Sequence, residues 1–195
     1  MTIEKIKSEI EASIAVKKLL FNDALLITKI LDLSNKCITS LKNDGKIIFC
    51  GNGGSFADAQ HISAEFTSRF LFDRPGLASI ALGTNSSSMT AIGNDYGYRN
   101  VFSREIESIG NPNDILIAIT TSGNSLNIIE ALKAAKKKKI YSVVFTGKGK
   151  GKLPNGLDLI NVPSSITARI QESHILIGHI ICGIVEKSIY GSEQN

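Results

Sequence analysis

His61 and Glu65 stand four residues apart, so on a helix their side chains share one face, one turn apart. That spacing suits two ligands gripping a metal ion, or a base beside the partner that orients it; it also suits a weak surface pair. A second polar set, Gln171, Glu172, His174 and His179, lies in an otherwise apolar stretch near the C-terminus. His174 reads as a core histidine. His179 interrupts Ile175-Leu176-Ile177 and Ile180-Ile181, where a polar ring needs a partner. Gln171 and His179 are about 12 Å apart along an ideal helix axis. One small ion would need both side chains to reach toward each other, or a neighbouring subunit to supply one.

Two polar turns offer a different chemistry. Gly51-Asn52-Gly53-Gly54-Ser55 combines three glycines, which let backbone approach a ligand, with an amide and a hydroxyl. Thr120-Thr121-Ser122-Gly123-Asn124-Ser125 offers four hydroxyls around one glycine. Neither is a GxGxxG fingerprint or a Gly-Lys-Ser/Thr phosphate loop. Hydroxyls and free amides at a helix start nonetheless hold a phosphate without Lys or Arg. Ser and Thr are also ordinary turn formers and helix caps. Two such turns, each directly after an apolar strand, point to a small phosphorylated ligand.

The elements that position these residues follow from hydrophobic periodicity. The first 44 residues read as two helices, with Ile3, Ile6, Ile10 and Ile14 at helical spacing and then Leu26, Ile30, Leu33 and Cys37. Short strands are predicted at 46–50, 77–82, 114–119, 141–146 and 157–162. Helices are predicted at about 55–70, 86–92, 98–109, 126–138 and 168–190. Apolar strands alternating with helices imply an α/β three-layer sandwich, a five-stranded parallel sheet flanked by helices. Residues 1–44 are read as an N-terminal helical pair packing on the core or in an oligomer interface, and 45–195 as the main domain. The segment 147–156, GKGKGKLPNG, reads as a loose surface loop.

Composition narrows the classes of function. The chain has 195 residues, 43% hydrophobic and 21% charged, which excludes a disordered or fibrous protein. The formal net charge of +4 owes much to Lys136-Lys137-Lys138-Lys139 with Lys148, Lys150 and Lys152. That run has no interleaved aromatics and suits a helix C-terminus, so no nucleic-acid partner is expected. Cys37, Cys50 and Cys182 form no CxxC pair and read as small buried hydrophobes in a reducing compartment. The longest apolar stretch, 175–185, is too short to span a bilayer. The N-terminal MTIEKIKSEIEASIAVKK carries charges where a secretory signal needs an apolar core. A cytoplasmic protein with no membrane partner is expected.

CGNGGS at 50–55, HISAE at 61–65, GNDYG at 93–97, TSGNS at 121–125, TGKGKGK at 146–152 and RIQESH at 169–174, with His179, resemble the phosphoheptose isomerases of the sugar isomerase (SIS) family. TSGNS alone marks only the wider family, whereas the HxxxE pair with RIQE and the later histidine is more specific. The resemblance covers essentially the whole chain. It implies the SIS fold and conversion of sedoheptulose 7-phosphate to D-glycero-D-manno-heptose 7-phosphate, the first step toward the heptose of bacterial lipopolysaccharide or capsule. It also implies a homotetramer with sites between subunits, and one zinc ion per subunit held by His61, Glu65, Gln171 and His179. Substrate contacts would come from Asn52, Gly53, Gly54 and Ser55, from Asn94 and Asp95, from Thr120, Thr121, Ser122 and Ser125, and from Glu65 and Gln171. One departure stands out: some members carry an aspartate immediately before the Arg-Ile-Gln-Glu run, where this chain has Ala168.

An aldose–ketose interconversion moves a proton between neighbouring carbons through an enediol, so it needs a base, an acid and a stabiliser of developing charge. Glu65 is expected to move the carbon-bound proton and His179 to serve the oxygens. Zinc would either polarise those oxygens or hold the site in shape. Two other readings fit the same fold: a non-catalytic SIS protein of the DnaA initiator-associating type, and an isomerase for another phosphosugar. A pure binder has no chemical need for His61, Glu65, Gln171 and His179 together.

Overall fold

The computed structural model describes residues 2–191. Five strands, β1 (Ile47–Gly51), β2 (Ser79–Ala81), β3 (Ile115–Ile119), β4 (Tyr141–Thr146) and β5 (Asp158–Asn161), form one sheet in the order β2-β1-β3-β4-β5, every pair parallel. Every residue of β1 and β3 is buried, because helices cover both faces, and this is why their sequences are apolar without alternation. Among the described residues seven α-helices complete the fold: α1 (Ile3–Asn22), α2 (Ala24–Lys42), α3 (Gly54–Thr67), α4 (Ser86–Tyr96), α5 (Val101–Ile109), α6 (Leu126–Lys137) and α7 (Thr167–Tyr190). Ile47, Phe49, Ile117 and Phe145 bury one face of the sheet against α2, α3 and α7. Ile48, Leu116, Ala118 and Val144 bury the other against α5 and α6. This is the three-layer sandwich expected from the sequence.

The strand order reverses direction between β1 and β3. In a parallel open sheet the crevice beyond the carboxyl ends of two such strands is where ligands bind. Gly51 pairs in register with Ile119, so the two polar turns leave the sheet side by side.

The two N-terminal helices differ in their packing. α2 sends Leu26, Ile30, Leu33 and Cys37 into the core. α1 buries only Leu20 and leaves Ile3, Ile6, Ile10 and Ile14 exposed as one ridge. It is fastened by polar contacts instead: Ser13 Oγ donates to Glu172 Oε2 at 2.7 Å, and Arg169 pairs with Glu172 at 2.8 Å while donating to the Glu9 carbonyl. Two residues of the RIQESH run thus latch α7 to α1.

Boundaries moved where capping or the sheet overrode periodicity. α4 extends past Ile92 to Tyr96, with the Asn85 side chain accepting from Ser88 N at its start. The 147–156 segment is exposed except at Gly147 and Leu153, and it is not loose. Gly147 N donates to the Thr121 carbonyl at 3.1 Å, Lys148 N to the Ser164 carbonyl at 3.0 Å, and Lys152 N to the Gly123 carbonyl at 3.0 Å. The loop is laid across the hydroxyl turn. Gly123 makes this possible, for its φ is +67° and a Cβ there would stand 2.3 Å from the Lys150 carbonyl oxygen. All three cysteines are free and buried, as expected. Among the described residues no helix is long and apolar enough to cross a membrane.

His174 is fully buried beside the Phe145 ring, its Nε2 3.3 Å from the Thr146 carbonyl oxygen. Burial pushes its pKa down from 6.5 to about 4, against a smaller opposing effect of that carbonyl. The unfolded chain therefore takes up this proton first, so the folded state loses ground as pH falls from 6.5 toward 4. Urea titrations across that window should show the protein losing up to about 3 kcal/mol more than a His174→Gln variant. Parallel pH profiles in the two proteins would contradict this.

Candidate active site

The site begins with two helices lying side by side. α3 and α7 run in the same direction, since contacts advance along both together: Gly54 with Gln171, Ile62 with Gly178, His61 with His179. Gly178 sets their separation. A Cβ there would come within 2.4 Å of Ile62 Cδ1, so a larger residue would force the buried Ile62 side chain to shift or the helices to part. Ala59, Ile62 and Phe66 of α3 meet Ile177, Ile181, Cys182 and Val185 of α7 in the same core.

On the outer edge of this seam three side chains converge. His61 Nε2 is 3.0 Å from Glu65 Oε1 and 3.3 Å from His179 Nε2. One ligand atom from each lies within 4.8 Å of the others. The imidazole of His179 has thus found the partner its place in an apolar stripe demands. The cluster opens outward, with the His61 side chain half exposed and that of Glu65 about a quarter. One turn earlier on α3, burial raises the pKa of the Asp58 carboxyl, and the nearby His61 partly offsets the rise.

The donor set fits a divalent ion. Two nitrogens 3.3 Å apart span the distance that two metal–nitrogen bonds of about 2.0–2.1 Å subtend at a tetrahedral angle. Two histidines and a carboxylate with a remaining open position is also a common catalytic zinc set. Gln171, the fourth expected ligand, stands two turns earlier on α7, with its carboxamide against Gly54. Within one chain it meets the first polar turn.

The other expected contacts lie on the turns that follow β1 and β3 and at the end of α4. Asn52 is tied down: its amide exchanges hydrogen bonds with the Asn127 side chain at 2.9 and 2.8 Å, and its Oδ1 also accepts from the Tyr98 hydroxyl at 2.9 Å. Gly53 and Gly54 are exposed at the start of α3, and Ser55 is buried there. Asn94 and Asp95 are exposed in the last turn of α4 and hydrogen-bond each other. Thr120 is buried, its Oγ1 accepting from Gly123 N at 3.3 Å, while Ser125 leads into α6. Thr121 and Ser122 line a cavity of about 220 Å³ with Lys148, Gly149, Ser164, Ser165 and Thr167. Ala168, in the position of the family aspartate, adjoins this cavity at the start of α7.

Several contacts escaped sequence reasoning. Phe70 stacks on His179, centroids 5.4 Å apart. Arg74 and Glu186 form an ion pair with side chains 2% and 1% exposed. Asn127 and Tyr98 hold Asn52. Lys148 brings the one cation to the hydroxyl-lined cavity. Only Lys148 lay in a quoted motif.

A profile of the SIS domain family matches residues 15–147. A phosphoheptose isomerase of Sulfurimonas denitrificans is 52% identical over 191 residues, 97% of this chain and 98% of that protein. Among solved structures, a phosphoheptose isomerase from Francisella tularensis is 36% identical with a TM-score of 0.90, covering 96% of this chain and all of that one. One from Neisseria gonorrhoeae is 41% identical with a TM-score of 0.86, covering 94% and 98%.

If Gly178 sets the seam, Gly178→Val should overpack it and cost about 1–3 kcal/mol of stability. Thermal unfolding would show a lower Tm. An unchanged Tm would mean that the helices are not held at this point.

Proposed function

The chain belongs to the SIS domain family, among its phosphoheptose isomerases, and on that premise we propose that His61, Glu65 and His179 form the reacting end of a sedoheptulose 7-phosphate isomerase site. The observation carrying this assignment is the convergence of one carboxylate and two imidazoles on the outer edge of the α3–α7 seam, in a chain whose two phosphate-style turns leave the sheet side by side. A surface for protein contact alone has no use for such a cluster.

The chemistry follows from the atoms. Glu65 points Oε1 at His61, leaving Oε2 to take the proton from one substrate carbon and return it to its neighbour. His179 would move protons at the hydroxyl and carbonyl oxygens. The hydroxyls of Thr121, Ser122 and Ser125, with Thr120 shaping their turn, would hold the phosphate and so fix the reacting carbons against Glu65. Asn52, Gly53, Gly54 and Ser55, with Gln171, would line the sugar, and Asn94 and Asp95 would close over it. His61, Glu65 and His179 would hold a zinc ion; Gln171, whose carboxamide lies against Gly54 within one chain, would join them only by reaching along α7 or from a neighbouring subunit. Bound there, zinc would supply either Lewis-acid polarisation of the substrate oxygens or a fixed shape for the site.

The site's openness and the exposed ridge Ile3, Ile6, Ile10 and Ile14, with Leu176 and Ile180 on α7, support a homotetramer in which neighbouring subunits complete each site. A heptose phosphate feeding lipopolysaccharide or capsule in the cytoplasm is the corresponding cellular role.

Incubation with sedoheptulose 7-phosphate, with product read by NMR, should show the aldose isomer forming, and a chelator should slow it. His179→Gln should remain a folded tetramer by light scattering and bind the sugar phosphate without turning it over. Near wild-type turnover by that variant would remove His179 from the mechanism. No turnover by the wild type would favour the binding-protein reading.

A further inference from the structure

Phe70 makes a contact with the reacting cluster that the isomerase reading does not assign. Its ring lies against the His179 imidazole with planes 28° apart, and the same imidazole meets His61 edge-on at 5.0 Å between centroids. His179 is therefore held between two rings, one from α3 and one from the segment that follows it.

Phe70 is itself fixed through its backbone. Its N–H donates to Glu186 Oε1 and that of Leu71 to Glu186 Oε2, each at 2.8 Å. Arg74 Nε donates to Glu186 Oε1 at 3.0 Å. The remaining guanidinium nitrogens take the carbonyls of Glu65 at 2.8 Å, Phe66 at 2.7 Å and Ser68 at 2.9 Å. These are carbonyls at the end of α3, where helical partners run out. One buried pair thus caps the helix carrying Glu65, binds it to α7, and sets the ring behind His179. A partly exposed imidazole without such a wall has several staggered rotamers open to it. Proton transfer requires one of them.

We infer that Phe70 is a positioning residue for the isomerisation, holding the His179 ring in its reactive orientation, and that the Arg74–Glu186 pair holds Phe70. This rests on the assignment of Glu65 and His179 to proton transfer.

Steady-state kinetics on sedoheptulose 7-phosphate should compare the wild type with Phe70→Leu, Phe70→Met and Phe70→Tyr, each checked for tetramer mass and Tm. The leucine variant keeps apolar packing but loses the ring, and the methionine variant gives the same reading should leucine fail to fold. The expected result is a kcat lowered about 10- to 100-fold with KM within about twofold, because the phosphate turn belongs to another element. Phe70→Tyr, which keeps the ring, should restore kcat. Wild-type kcat in the ringless variants, a loss confined to KM, or a tyrosine variant as slow as leucine would overturn the inference. If the wild type itself does not turn over, the isomerase reading fails first.

Discussion

The close contact of α3 with α7 at Ile62 and Gly178 is the constraint on which the rest depends. Two parallel helices brought this near each other place His61 and His179 with their Nε2 atoms 3.3 Å apart, although 118 residues separate them in the chain. Glu65 joins them from the next turn of α3. The apolar core beneath supplies the driving force, but glycine at 178 determines the separation. At the far end the buried Arg74–Glu186 pair closes the seam with hydrogen bonds rather than apolar area. A buried pair of this kind stabilises little by itself, yet breaking one partner strands a charge and several backbone groups. Its value here is geometric.

The second arm of the site depends on the sheet. Because β1 and β3 are neighbours in register, the turn that follows each begins at the same height on the switch-point crevice. The polar loop 147–153 is hydrogen-bonded across the hydroxyl turn, so the surface that would meet a phosphate is rigid at its backbone and carries its cation, Lys148, on a flexible stem. This division suits a substrate anchored at one end and reacted at the other. The exposed isoleucine ridge of α1 lies outside both arms, latched to α7 through Glu172 and Arg169.

Much of this was legible in the amino-acid order, for identifiable reasons. The strands announced themselves because a sheet covered on both faces requires continuous apolar runs. The pairing of His61 with Glu65 followed from helical spacing, and the place of His179 from the apolar stripe it interrupts. What stayed hidden depends on long-range packing. Phe70 looks like any core aromatic until its ring is seen against His179. Glu186 and Arg74 look like solvated charges, since no local pattern says that residues 112 positions apart will bury each other. Arg169 and Glu172 sit in the motif that carries the resemblance, yet in this chain they fasten α1. The reciprocal amide bonds between Asn52 and Asn127 join two turns that only the sheet makes adjacent.

The central claim is that α3 and α7 present His61 and His179 as one working unit. A double-mutant cycle on kcat/KM, using His61→Gln, His179→Gln and the combined variant, measures this directly. Residues acting as a unit lose nearly everything on the first substitution, so the double variant should be about as slow as the slower single one. Losses that multiply independently would show that the two imidazoles act apart, and the account of the site would be wrong.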